Sequence, residues 1–313
     1  MKSTILPIFF AADDAYAPAL GVAIESLLAN ASRDYRIRIH ILTCGLSQEN
    51  ADALLATVGG RAELQLVDMK KRIAPLAEKL VLRDYYSGAT YFRLFISELF
   101  PEYDKALYLD CDIVIHGDVC RLFETPLGEA LVGAVPEDVM ARIDVFGRYV
   151  EVCLDVPREE YFNAGVLVMN LAGFRRAEIL NRFVDLLLRR RFVVTQDEDY
   201  LNVLCRGRTR LLPYTWNTSP LATEVTERPA LVHYKLDRKP WHYRDVHLGD
   251  GFWQYAAATP FYRGLLAERD GYGEAGAARD REAFLRLCRL AEEEMEAEPL
   301  RRAADHREAD CIA

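Results

Sequence analysis

From Ile5 to Val67 the chain alternates short apolar runs with amphipathic ones, and this alternation narrows the folds open to it more than any other feature. Ile5–Ala12 reads as a buried strand that stops at Asp13-Asp14, and Ala17–Ala29 has helical apolar spacing. In Arg36–Thr43, Ile37, Ile39 and Ile41 share one strand face; Ser47–Val58 reads as a helix capped by Ser47, and Ala62–Val67 as a strand. Strand–helix alternation of this kind predicts an α/β domain with a parallel, doubly wound sheet. Further apolar runs at Ala106–Leu109, Ile113–Ile115, Leu131–Val135 and Val166–Asn170 extend the sheet, and Ala177–Arg191 has the pattern of an amphipathic helix.

The strand signal stops before Gly271. We therefore read 1–270 as one α/β domain and 271–313 as a helical extension. Its helix is expected at Glu282–Glu296, packing through Phe284, Leu285, Leu287 and Leu290, with a loosely ordered last dozen residues. Half of the 313 residues are apolar, enough for a substantial core. The net charge of −9 argues against nonspecific nucleic-acid binding, which needs Lys and Arg against phosphates. The seven cysteines lack a CxxC pair and have irregular spacing, so neither a disulfide framework nor a zinc site is expected. A reducing cytoplasm is the expected location. The N-terminal apolar run is too short to span a bilayer, and the mixed charge of the tail predicts at most weak membrane association.

Two segments carry chemistry. In Asp110-Cys111-Asp112, two acids interrupt core-like sequence, Tyr108-Leu109 before and Ile113-Val114-Ile115 after. On an extended backbone residues i and i+2 point to one side, so both carboxylates can converge on a Mn²⁺ or Mg²⁺ ion. Such an ion makes a diphosphate a better leaving group. Asp13 and Asp110 each end a predicted strand, which puts both on the rim where open α/β sheets bind ligands. The second segment, His233 to Trp241, follows a strand-like run; His233 could add a metal ligand and Lys239 a charge for phosphate.

With four further segments in order, these resemble glycosyltransferase family 8, which includes bacterial lipopolysaccharide galactosyl- and glucosyltransferases and glycogenin. The segments are Phe10-Ala-Ala-Asp-Asp-Ala-Tyr16, Thr90-Tyr-Phe-Arg-Leu94, Leu107-Tyr-Leu-Asp-Cys-Asp112, Tyr161-Phe-Asn-Ala-Gly-Val166, Asp197-Glu-Asp-Tyr-Leu-Asn202 and His233 through Lys239-Pro240-Trp241. The resemblance runs from about Ile8 to Trp241. It implies a GT-A fold, a single Rossmann-like nucleotide-diphospho-sugar transferase domain, and transfer with retained anomeric configuration.

By the resemblance, Ala11, Asp13 and Tyr16 hold the nucleoside, with Cys111 beside them. Asp110, Asp112 and His233 hold the metal. Arg93 meets the donor sugar or diphosphate, and Leu236 and Lys239 the diphosphate. Asn163, Ala164 and Gly165 line the donor sugar, and Asp197 hydrogen-bonds its hydroxyls. UDP-glucose or UDP-galactose is the implied donor and a saccharide or glycolipid the implied acceptor; the oligomeric state stays open.

Three positions depart from the family pattern. Leu236 stands where a glycine is usual and is expected to present its N–H only at negative φ. Ala15 replaces a polar side chain. Glu198 replaces a glutamine, which reopens a covalent route through a glycosyl–enzyme; the expectation is that Glu198 orients substrate or stabilises charge. Gly133–Val152 reads as a lid or acceptor loop. A nicotinamide enzyme would need a glycine-rich first turn, which Ala11-Ala-Asp-Asp-Ala15 is not. A non-catalytic UDP-sugar-binding protein is the alternative.

Overall fold

The structure, a computed structural model, describes residues 4–80, 88–221 and 227–312. Strand β1 (Ile5–Ala11) pairs in parallel with β2 (Arg36–Thr43), and β2 with β3 (Glu63–Asp68). Helices α1 (Ala17–Asn30) and α2 (Gln48–Val58) make the crossovers. Ser47 caps α2 by accepting from the Asn50 N–H, and Gly59 ends it in the left-handed conformation. On the other side of β1 lies β4 (Lys105–Leu109), also parallel.

From there the sheet departs from the all-parallel expectation. With β6 (Val132–Ala134), β7 (Val166–Asn170) and β8 (Thr209–Leu211), the order is β3-β2-β1-β4-β7-β6-β8, and β7 runs antiparallel to both neighbours. Alternating apolar runs mark strands but carry no direction, so the reversal was invisible in the sequence. Its consequence is local. Leu109 pairs with Val166, so the start of β7, residues 163–165, reaches the rim beside Asp110. A parallel β7 would have brought Asn170 there instead.

A second expectation also fails. β5 (Ile113–Ile115) does not continue β4; it forms a separate two-stranded sheet with β9 (Leu231–His233). The chain turns at 110–112, so the two aspartates project from a turn rather than from one extended strand. Ile113 pairs with His233, which carries the imidazole to the aspartates.

Helix boundaries moved where side chains could not show them. Glu178 is left-handed, so the helix predicted from Ala177 begins at Ile179 and ends at Arg189. Gly133–Val152 is not the loop expected: beyond β6 it forms the helices Asp138–Arg142 and Asp144–Cys153, with Phe146, Tyr149 and Val150 buried. The C-terminal helix runs from Tyr262 to Ile312, past the point where loose order was expected, with one break at Gly273. Ala283, Leu287 and Ala291 are buried along it, and Phe284 meets Phe146 edge-on at 6.1 Å, whereas Leu285 is 55% exposed. Among the described residues no helix is long and apolar enough to cross a membrane.

His40, on β2, is 1% exposed and stacks on Phe9 at 4.6 Å. Burial, helped by the Arg38 charge, pushes its pKa down from 6.5 to about 4. The unfolded chain takes up the proton first as pH falls. The stabilisation is therefore complete above the unfolded pKa and is lost toward the folded one. Between pH 7.5 and 5 this residue should cost the fold about 2 kcal/mol. His40→Phe should remove that share of the acid sensitivity in urea unfolding at the two pH values; an unchanged pH dependence would show that His40 is not its source.

Candidate active site

β1 and β4 are adjacent parallel strands whose connections leave in opposite directions, so a crevice opens past their carboxyl ends. The cleft there is lined by Ala11, Asp13 and Tyr16 after β1, by Asp110, Cys111 and Asp112 after β4, and by Asn163 and Ala164 before β7. Arg93, Asp197, Glu198, His233, Leu236 and Lys239 complete it. Every site residue read from the sequence is thus at one cleft, with Gly165 just behind the surface.

Single ligating atoms of Asp110, Asp112 and His233 all lie within 4.8 Å of one another. Each is held from behind. Asp110 Oδ1 accepts from Tyr108 Oη at 2.9 Å and Arg93 Nη2 at 3.1 Å. His233 Nδ1 meets Asn217 Oδ1 at 2.9 Å, and its Nε2 lies 3.1 Å from Asp112 Oδ1. Asp112 Oδ2 accepts from Lys239 Nζ, which also donates to the Tyr234 carbonyl at 2.6 Å. Burial opposes the Asp112 charge, but Lys239 and His233 overcome it and hold the carboxyl far below its usual range. Two hard carboxylates and an imidazole with a fixed outer nitrogen suit a manganese- or magnesium-type ion. Gly165 keeps room for this cluster: a Cβ there would stand 2.4 Å from His233 Cε1 and 2.5 Å from Asp110 Oδ2.

Arg93 is fully engaged within the protein. Its Nε lies 2.9 Å from Asp197 Oδ2 and 2.9 Å from the Thr90 carbonyl; Nη1 donates to the Ala164 carbonyl, and the guanidinium covers the Tyr108 ring at 4.2 Å. Burial works against its charge, and Asp110 and Asp197 more than offset that. Asp197 in turn is pushed up to about 6 by burial, against the pull of Arg93.

The three acids at the start of helix Asp197–Leu204 have separate surroundings. Asp199 is buried and accepts from Tyr149 Oη at 2.8 Å and Tyr161 Oη at 2.9 Å, so it fixes the wall. Glu198 Oε2 accepts from the Ala164 N–H at 2.8 Å and Asn163 Nδ2 at 3.1 Å. Burial, and then the neighbouring Glu137, push the Glu198 carboxyl well up. Gln196 before them is buried at φ 56, ψ −119, a strained conformation for a residue with a side chain.

Leu236 does not take the negative φ expected of it. Its φ is 57, the left-handed conformation that glycine would adopt. Holding a leucine in that conformation costs about 1–2 kcal/mol. Tyr16 meets Trp241 edge-on at 6.5 Å. The Cys111 thiol, pushed up by burial and then by Asp110 and Asp112, donates to the Ala11 carbonyl at 3.2 Å.

Several contributors were given no role of their own in the sequence reading. Tyr108 orients Asp110, and Asn217 the imidazole. Lys235 Nζ lies 2.6 Å from both Glu137 Oε1 and Asp138 Oδ1, and Glu137 Oε2 accepts from Asn163 Nδ2 at 2.5 Å. Lys235 lay inside a segment already singled out, whereas Asn217 belongs to no periodic or acidic pattern.

A family model described as Glycosyl transferase family 8 matches residues 7–245. The lipopolysaccharide 1,2-glucosyltransferase of Escherichia coli K12 is 28% identical over 260 residues, 77% of this chain and 74% of that one. The crystal structure of the galactosyltransferase LgtC in complex with donor and acceptor sugar analogs superposes with a TM-score of 0.69 at 29% identity, covering 83% of this chain and 100% of that one. The apo structure of the bifunctional WbbM superposes with a TM-score of 0.75; at 24% identity, covering 87% of this chain and 52% of that one, it supports the fold alone. The mixed seven-stranded sheet with its helical C-terminus is the GT-A fold of these neighbours.

Proposed function

We propose, from the premise that the chain belongs to glycosyltransferase family 8, that this glycosyltransferase moves glucose or galactose from a UDP-sugar to a saccharide or glycolipid hydroxyl with retained configuration. The observation that carries the reading is the convergence of Asp110, Asp112 and His233, with Lys239 beside them, at one end of a cleft whose other walls hold Asp13 and Asn163. Asp110, Asp112 and His233 would hold a divalent cation, which supplies charge neutralisation at the diphosphate when bound. Lys239 adds a second positive charge on that side. Asp13 faces the nucleoside end, and Asp197, beside Arg93, faces the sugar. The acceptor oxygen attacks the anomeric carbon from the side on which the C–O bond to diphosphate breaks, and its proton passes to the departing oxygen. A cytoplasmic location accords with a nucleotide-sugar donor.

The test is UDP release from a panel of UDP-sugars with Mn²⁺, with EDTA, and with candidate saccharide acceptors. Release that needs Mn²⁺ and rises with an acceptor is expected. Tight UDP-sugar binding without turnover under any condition would favour a binding protein instead.

Glu198 is assigned an orienting role. Its Oε2 accepts two hydrogen bonds that an amide oxygen accepts equally well, and its surroundings favour the neutral acid, which an amide resembles. Glu198→Gln should therefore keep kcat within about tenfold, or about 1.4 kcal/mol of barrier. A sugar trapped on Glu198 and seen by mass spectrometry, or a loss of several orders of magnitude in the variant, would make it the nucleophile.

A further inference from the structure

We infer that the C-terminal helix latches the loop that carries Lys239, with Asp280 as the positioning residue. The inference rests on the reading of Lys239 as a donor contact. In the loop after β9, His242 N and Tyr243 N both donate to the Lys239 carbonyl at 3.0 Å, closing one turn around it. The residues that make this turn are fastened outward to the helix. Tyr243 Oη donates to Asp280 Oδ2 at 2.5 Å. The His242 ring stacks on Tyr272 at 3.8 Å and 10°, and its Nε2 lies 3.3 Å from Glu268 Oε1. Arg244 pairs with Asp270 at 2.6 Å.

The break at Gly273, at φ 56 and ψ −167, is what makes this arrangement possible. A straight helix holds residues eight apart more than two turns from each other. Here Tyr272 Oη reaches both oxygens of Asp280 at 2.8 Å. Asp280 is 1% exposed, so a buried carboxylate gathers hydroxyls from the helix and from the loop at one point. The same helix also sends Leu287 into the cleft wall. A segment outside the matched residues 7–245 thereby sets the position of Lys239 through its backbone.

The experiment compares wild type, Asp280→Ala, Tyr243→Phe and Glu298→Gln. Glu298 is buried on the same helix, paired with Arg190 and Arg302 far from the loop, so its variant weakens helix docking without touching the latch. Two readouts are used: hydrogen–deuterium exchange across residues 237–244 without nucleotide, and UDP affinity with Mn²⁺ by calorimetry. Asp280→Ala should speed exchange in the loop, weaken UDP about tenfold and raise the UDP-sugar KM with kcat changed less than about threefold. Tyr243→Phe keeps the ring packing and should weaken UDP about threefold, so it carries the test if Asp280→Ala does not fold. Glu298→Gln should leave both readouts at wild-type values. Unchanged exchange and affinity in the folded latch variants, or an equal loss in Glu298→Gln, overturns the latch. If wild type binds no UDP, the donor reading of the cleft falls, and exchange across 237–244 still decides the latch.

Discussion

Asp112→Asn is expected to lower turnover by about 10³-fold or more, roughly 4 kcal/mol of barrier. The amide keeps the shape and an oxygen for His233, yet removes the anionic ligand on which a divalent ion depends. UDP release at saturating Mn²⁺ measures it, and near-normal turnover would show that the cluster is not the metal site. The loss should not leave folding untouched. Asp112 is 8% exposed and faces Lys239, itself 4% exposed. Removing one partner of a buried pair strands the other, a loss on the order of 3 kcal/mol before side chains relax. A lowered thermal midpoint in the metal-free variant is therefore part of the prediction, and turnover must be measured below it.

Gly165→Ala should be nearly as damaging to catalysis, at about 100-fold or more, while leaving the sheet intact. The added methyl has no room: its two nearest neighbours, His233 Cε1 and Asp110 Oδ2, stand at 2.4 and 2.5 Å. Neither can step aside cheaply. Asp110 is tied to Arg93 and Tyr108, and His233 to Asn217 and Asp112. One of the two must rotate out of the cluster, which breaks its convergence without touching any ligand chemically. Mn²⁺ binding followed by electron paramagnetic resonance gives a readout separate from activity. Wild-type Mn²⁺ affinity and turnover in Gly165→Ala would show that the cluster tolerates displacement.

The case of Gly165 also shows where sequence reading stops. By itself the sequence determined the β1–α1–β2–α2–β3 unit, because the apolar period of each run depends only on neighbouring residues. It also named residues that the structure brings to one cleft: Asp110, Asp112, His233 and Lys239 stand in short motifs whose spacing is local. It could not determine strand direction. The antiparallel β7, which brings 163–165 to the rim, was decided by pairing between β4 and β7, residues far apart in the chain. The turn at 110–112, the left-handed Leu236 and the engagement of Arg93 were likewise decided by packing, since each conformation is set by neighbours from other elements. Periodicity gave a helix near 282–296, but only the folded molecule placed Asp280 against Tyr243. Local chemistry is written in order along the chain; the partners that hold it in place meet only when distant segments pack.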